Sequence, residues 1–312
     1  MSFPQHVTIS EVGLRDGLQI EKQFVSTAIK LELINELVSA GLRKIEVSSF
    51  VHPKVVPQMA DAVEVFAGLT RRPDVQYAAL VPNVKGMERA IACRADEYKI
   101  GISASETFNK LNFRMDIREG MKSLDDMVAL QHGKHGVIIG AVSTAFGCPY
   151  EGAIAETRIH ELFAQLVGFG VPLIFLADTT GVANPDSIRR TIEGLRGKWP
   201  KQRIGLHLHN TRGLGLANAL AGLELGVDYF EGSIGGLGGC PFAPRAVGNI
   251  STEDFVHMVH EMGIETGVDL DALIGVAAHM QAVVGRQLPG MVLKAGKSRD
   301  LHDPQAAKVK VD

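Results

Sequence analysis

The sequence predicts a (β/α)8 barrel of the TIM class, an α/β fold, with a carboxy-terminal helical extension. Eight short β-branched runs alternate with amphipathic stretches over about 260 residues, which matches such a barrel in number and length; a doubly wound sheet usually uses fewer strands. Chemically active residue types also recur at the ends of those runs, and barrels of this class gather their active sites at the carboxyl ends of the strands. A chain of 312 residues with 46% hydrophobic content is large enough for a substantial core.

The first strand is expected over 7–11, closing on Glu11, with Arg15-Asp16-Gly17-Leu18-Gln19 in the loop after it. A helical pattern follows over 28–40, then a strand over 44–48 with Glu46 near its end, and a helix over 59–69. Strands over 76–81, 97–102 and 137–143 are joined by connections that include a helix over 116–131. A helix over 156–169 leads to a strand over 173–177, which ends on Asp178-Thr179-Thr180-Gly181 before a helix over 187–196. The seventh strand, 204–209, carries His207 and His209, and a helix over 214–225 separates it from the eighth, 228–231. Gly235-Gly236-Leu237-Gly238-Gly239-Cys240 follows that strand, then a helix from Thr252, another over 269–284, and a polar tail from Lys294. No Pro/Ser-rich linker divides the chain, so residues 1–265 are expected to form the catalytic barrel and 266–312 an extension of the same domain, acting as a cap or an oligomer contact.

The net charge of -3 and the lack of any Lys/Arg-rich run argue against a nucleic-acid or anionic-lipid partner. No apolar run is long enough to span a bilayer, and the first strand begins too early to leave room for a signal peptide. Three cysteines, Cys93, Cys148 and Cys240, without CxxC spacing point to a reducing compartment; the cytoplasm is expected.

Side chains alternate along a strand, so His207 and His209 share one face while Leu206 and Leu208 share the other. Alone, such a pair is more often hydrogen-bonded in a polar cavity than ligating a metal. A divalent site needs an oxygen ligand; Asp16 is the best candidate, because the first and seventh strands both open onto the barrel mouth, and Asn249 could add an amide oxygen. Two imidazoles, a carboxylate and a carbonyl suit Mg2+ or Mn2+, with Zn2+ or Co2+ as possible occupants. Each residue also has a plainer reading: Asp178 as a helix cap, Glu46 as a rim charge, Asp16 as a turn stabiliser.

Five motifs then occur in one order: Glu11-Val12-Gly13-Leu14-Arg15-Asp16-Gly17-Leu18-Gln19, Glu46-Val47-Ser48-Ser49-Phe50, Gly147-Cys148-Pro149-Tyr150-Glu151-Gly152, His207-Leu208-His209, and Gly236-Leu237-Gly238-Gly239-Cys240-Pro241-Phe242-Ala243. Together they resemble the 3-hydroxy-3-methylglutaryl-CoA lyase family of the DRE-TIM metallolyases, over 7 to about 284. The resemblance implies metal ligands at Asp16, His207, His209 and Asn249, and further active-site positions at Arg15, Glu46, Asp178 and Cys240. It also implies an acyl-CoA substrate, contacted by Arg15, Gln19 and Arg286, and a homo-oligomer, expected to be a dimer. The implied reaction cleaves the C2–C3 bond of a tertiary 3-hydroxyacyl-CoA. His207 or Asp16 takes the hydroxyl proton, Arg15 stabilises the thioester enolate and Cys240 returns a proton, while Asp178 and Glu46 hold the arginine and the substrate's polar groups. Cys93 and Cys148 are expected to serve packing or loop structure.

The chain departs from the family at three places. Asn210 replaces an Asp after the histidine pair, on the face opposite both histidines. Pro244 and Arg245 enter the usual small-residue run before Asn249, and Gly285-Arg286-Gln287 alters the neighbourhood of a CoA-contacting arginine. These changes leave citramalyl-CoA, cleaved to pyruvate and acetyl-CoA, as a second candidate substrate. A condensing synthase of the same superfamily would usually carry a long regulatory domain. A catalytically silent binding barrel would not need every ligand candidate intact.

Overall fold

A computed structural model describes residues 3–238 and 248–301. Its centre is a closed barrel of eight parallel strands in sequence order. The first half is β1 (Thr8–Glu11), α1 (Thr27–Ser39), β2 (Lys44–Ser49), α2 (Ala62–Gly68), β3 (Gln76–Leu80), α3 (Val84–Ala92), β4 (Glu97–Ser103), α4 (Glu106–Phe113) and α5 (Ile117–Gln131). The second is β5 (Val137–Ser143), α6 (Glu156–Gly168), β6 (Leu173–Asp178), α7 (Pro185–Lys198), β7 (Arg203–Leu208), α8 (Gly215–Glu224) and β8 (Tyr229–Gly232). Three more helices follow, α9 (Thr252–Glu261), α10 (Leu270–Val284) and α11 (Met291–Ala295).

Alternation along the strands separates two kinds of interior. Ile174 and Leu176 of β6 belong to the main apolar core, while Phe175 between them packs in a small separate cluster with Ile139 and Leu173. The inward row also carries polar and charged groups: Glu46, Lys99, His207 and Glu231 are all buried. Strand register brings two of these together, since His207 pairs with Glu231 between β7 and β8.

The structure differs from the sequence expectation in three respects. β7 ends at Leu208, and His209 instead forms an isolated antiparallel bridge with Asn249. The stretch expected as one helix over 59–69 is a 3-10 turn, Pro57–Met59, followed by the shorter α2. Helices α3 and α4 were not singled out from the sequence, because nine and eight residues are too few for a 3.6-residue period to stand out.

The described part of the extension lies on the barrel. The backbone N–H of Asp269 donates to Ala40 O at 2.8 Å, and that of Gly290 to Gly235 O at 3.0 Å. Gly235 has φ +66, and a Cβ there would lie 2.3 Å from Leu288 Cδ1, so this approach requires glycine on both counts. Among the described residues no helix is long and apolar enough to cross a membrane.

Candidate active site

Immediately after β1 the chain coils into a π-helical turn, Gly13–Gly17, in which the amides of Arg15, Asp16 and Gly17 all converge on Val12 O. Glu11 fixes this turn. Its Oε1 accepts the backbone N–H of Gly13 at 2.7 Å and of Ile234 at 2.8 Å, and its Oε2 accepts the Thr252 hydroxyl. Burial pushes the Glu11 carboxyl up to about 7 against these three hydrogen bonds. The turn aims Arg15 and Asp16 into the barrel mouth. Arg15 is paired through Nη1 with Asp16 and through Nε with Glu46 of β2.

Two strands away along the barrel wall, His207 Nε2 and His209 Nε2 lie 3.0 Å apart, and His207 Nε2 is 3.9 Å from Asp16 Oδ2. Glu231 Oε2 accepts from His207 Nδ1 at 2.7 Å, which leaves Nε2 as the face turned to the site. Asn249 Nδ2 donates to Asp16 Oδ2 at 2.8 Å and to Leu237 O at 3.0 Å. Two buried polar atoms here have no partner: His209 Nδ1 and Asn249 Oδ1. The ligand atoms of Asp16, His207 and His209 lie within 4.8 Å of one another, so the three form a group that could hold a metal ion. Facing imidazole nitrogens, an ionised carboxylate and an orphaned amide oxygen are donors that a divalent cation would satisfy.

The electrostatics fit that use. Burial alone would raise the Asp16 carboxyl, but the Arg15 guanidinium and the two imidazoles outweigh it and hold the group well below the usual carboxylate range. Burial, then the neighbouring His207, lowers His209 to about 3, so its ring is neutral at pH 7 and free to ligate. The cavity is lined by Arg15, Asp16, Gln19 and both histidines together with apolar groups including Leu80, Phe108 and Phe175.

Of the residues singled out in the sequence, the structure gathers Arg15, Asp16, Gln19, Glu46, His207, His209 and Asn249 around one point. Gln19 Nε2 donates to Asp16 Oδ1 at 2.8 Å. The Asp178 carboxylate is taken up instead by the backbone N–H of Val182 and Ala183, ahead of α7. Arg286 lies at the rim, with Nη2 2.5 Å from Glu21 Oε1. Cys240, with Pro244 and Arg245, lies outside the described residues. Asn210 faces away from the histidines; its Oδ1 accepts from Gly215 N–H at the start of α8 at 3.0 Å. Cys148 is buried with Sγ 2.9 Å from Ser105 Oγ, and Cys93 is half-buried.

Sequence reasoning missed Lys99 and Glu231, which both line the cavity. Each sits in a strand between two apolar or aromatic neighbours or beside glycine. The available signal was a charge at an inward position of a strand whose other face is apolar.

A family model described as HMGL-like matches residues 6–280. A hydroxymethylglutaryl-CoA lyase of Bacillus subtilis is 41% identical over 298 residues, covering 96% of this chain and 100% of its own. The cytoplasmic 3-hydroxy-3-methylglutaryl-CoA lyase of Mus musculus is 43% identical over 268 residues, 86% of this chain and 78% of its own. Among solved structures, an HMG-CoA lyase from A. baumannii in complex with coenzyme A and 3-methylmalate superposes with a TM-score of 0.93 at 44% identity, covering 97% of this chain and 99% of that one. A barrel with this mouth, matched along nearly its whole length in sequence and in shape, belongs to the HMGL-like family.

Proposed function

We propose that this chain is a carbon–carbon lyase that cleaves 3-hydroxy-3-methylglutaryl-CoA to acetoacetate and acetyl-CoA with a divalent cation. The observation that carries the reading is the convergence of Asp16, His207 and His209 beside the Arg15 guanidinium in a chain of this family. Relatives from Bacillus subtilis and Pseudomonas aeruginosa carry names that specify this cleavage, which favours it over citramalyl-CoA.

Asp16, His207, His209 and Asn249 would hold the ion, and Mg2+ or Mn2+ suits the mixed oxygen and imidazole donors. When bound, the ion supplies a Lewis acid beside the substrate's hydroxyl and carboxylate oxygens. His207 or Asp16 accepts the hydroxyl proton. The charges that keep Asp16 ionised weaken it as a base, while His207, whose Nδ1 donates to Glu231, can take the proton only on an Nε2 that is not at that moment holding the ion. As the C2–C3 bond breaks, C3 becomes the ketone of acetoacetate and the electron pair passes to C2 and the thioester oxygen. Arg15, held by Asp16 and Glu46, presents a fixed positive charge to that enolate oxygen. Cys240 then gives C2 a proton, which completes acetyl-CoA.

Gln19 is read as a substrate contact at the mouth, and Asp178, whose carboxylate accepts from the Val182 and Ala183 amides after β6, as a residue that helps to hold the substrate's polar groups. Arg286 is read as a rim contact for CoA, which requires it to leave Glu21. The described extension is read as part of the barrel domain, supported by its contacts at Ala40 and Gly235. A homodimer and a cytoplasmic location complete the proposal.

Incubating the purified protein with Mg2+ and each acyl-CoA, and following acetoacetate and pyruvate, tests the substrate. Acetoacetate from hydroxymethylglutaryl-CoA is the expected result. Pyruvate from citramalyl-CoA alone, or no product from either, would overturn the reading.

A further inference from the structure

We infer that Lys99 is a positioning residue: its single ammonium clamps Glu46 and Glu231 together, and through them fixes Arg15 and His207 relative to each other. The lyase reading supplies what the positioned groups do; the clamp itself rests on geometry. Lys99 Nζ lies 2.5 Å from Glu46 Oε2 and donates as well to Glu231 Oε1. Each carboxylate turns its other oxygen to a residue of the site: Glu46 Oε1 to Arg15 Nε, and Glu231 Oε2 to His207 Nδ1 at 2.7 Å. The order is therefore Arg15–Glu46–Lys99–Glu231–His207. Five elements around the barrel, the turn after β1 and strands β2, β4, β8 and β7, are linked by one cation at the centre of the chain of contacts.

All five side chains are buried, so water screens their interactions far less than it would at the surface. The Phe175 ring lies 5.1 Å from Lys99 Nζ and covers a further side of the ammonium. Without the ammonium, Glu46 and Glu231 would be left as neighbouring buried carboxylates sharing too little positive charge. Breaking a buried ion pair by removing one partner leaves an uncompensated charge, and the site relaxes by moving a side chain or taking up a proton. Either response releases Arg15 Nε or His207 Nδ1. The consequence for His207 is specific: with Glu231 in place the ring proton is held on Nδ1 and Nε2 faces the site, whereas without that acceptor both tautomers become accessible.

The test uses the full-length apoprotein and the metal-loaded enzyme, with Lys99→Met, Lys99→Arg, Glu231→Gln and Glu231→Leu. Ring 15N spectra of the apoprotein report the His207 tautomer, calorimetric titration with Mn2+ reports cation affinity, and steady-state kinetics separate kcat from KM. Lys99→Met is expected to lose the single His207 tautomer and to lower both cation affinity and kcat by about 10–100-fold, with KM within about threefold of wild type. Lys99→Arg keeps a cation with several donors and restores most of each readout. A folded Lys99→Met protein with one His207 tautomer and wild-type cation affinity overturns the inference, as do Met and Arg variants impaired alike. If Lys99→Met does not fold, Glu231→Leu, which removes the acceptor altogether, carries the test beside Glu231→Gln, and an unchanged His207 tautomer in Glu231→Leu is equally fatal. A wild type without lyase activity whose His207 tautomer still depends on Lys99 supports the clamp and removes the lyase reading.

Discussion

The Asn249 side-chain N–H donates to Asp16 Oδ2 across 2.8 Å, joining residues 233 positions apart in the chain. The bond ties the turn after β1 to the segment that pairs with His209, so the two halves of the donor set are held by each other. It also turns Asn249 Oδ1 loose as a buried acceptor with no protein partner. An interior polar atom left this way has a cost that a bound cation or its water removes.

Metal retention should separate ligands from the proposed proton donor. His209→Ala is expected to lose both bound cation and turnover, and Asn249→Ala to weaken the cation by about 10–100-fold. Cys240→Ala should keep wild-type cation content while losing turnover. Metal analysis of the purified variants beside their kcat values checks this; equal metal loss in Cys240→Ala and His209→Ala would sink the division of roles.

Arg15 is contacted on two sides, through Nη1 by Asp16 and through Nε by Glu46, both buried. A lysine offers a point charge on a flexible stem and cannot reproduce both contacts with one orientation. Arg15→Lys is expected to lower kcat by about 100–1000-fold, the usual scale for removing a pre-aligned donor to a developing oxyanion, with a smaller change in KM. Steady-state kinetics on hydroxymethylglutaryl-CoA give both, and a change confined to KM would argue that Arg15 binds substrate without stabilising the enolate.

Glu253 is buried beside Gly290, where a Cβ would lie 2.3 Å from its Oε1, while Oε2 accepts the Gly235 N–H at 3.0 Å. Burial raises its carboxyl from 4.5 to about 7. The folded protein thus binds a proton at this site that the unfolded chain has already released between pH 4.5 and about 7. Stability from the neutral group is fully present below the lower value and is lost as pH rises through the upper one. Glu253→Gln keeps the neutral form, so its thermal midpoint should fall less than that of wild type from pH 5 to pH 8. Parallel midpoint-versus-pH curves for the two proteins would assign the pH dependence to other groups, such as Glu11.

The eight strands and most of the long helices were legible because their signals are local: β-branched runs of a few residues, and apolar spacing that repeats within a single helix. Asp16, His207, His209 and Asn249 were legible as chemistry, since two imidazoles, a carboxylate and an amide oxygen at strand ends by themselves suggest a cation. The third dimension added details within that frame. The histidine pair spans the end of β7 and a separate bridge, and Asp178 spends its carboxylate on two backbone amides ahead of α7.

By itself the sequence determined the barrel, its family resemblance and the donor types at its mouth, each written in short-range spacing or in contiguous motifs. Only the tertiary structure decided that Lys99 of β4 meets Glu46 of β2 and Glu231 of β8. That meeting depends on closing β8 against β1, which brings residues 132 positions apart into one buried network. Such contacts follow from barrel closure and register, and no periodicity within a single strand encodes them.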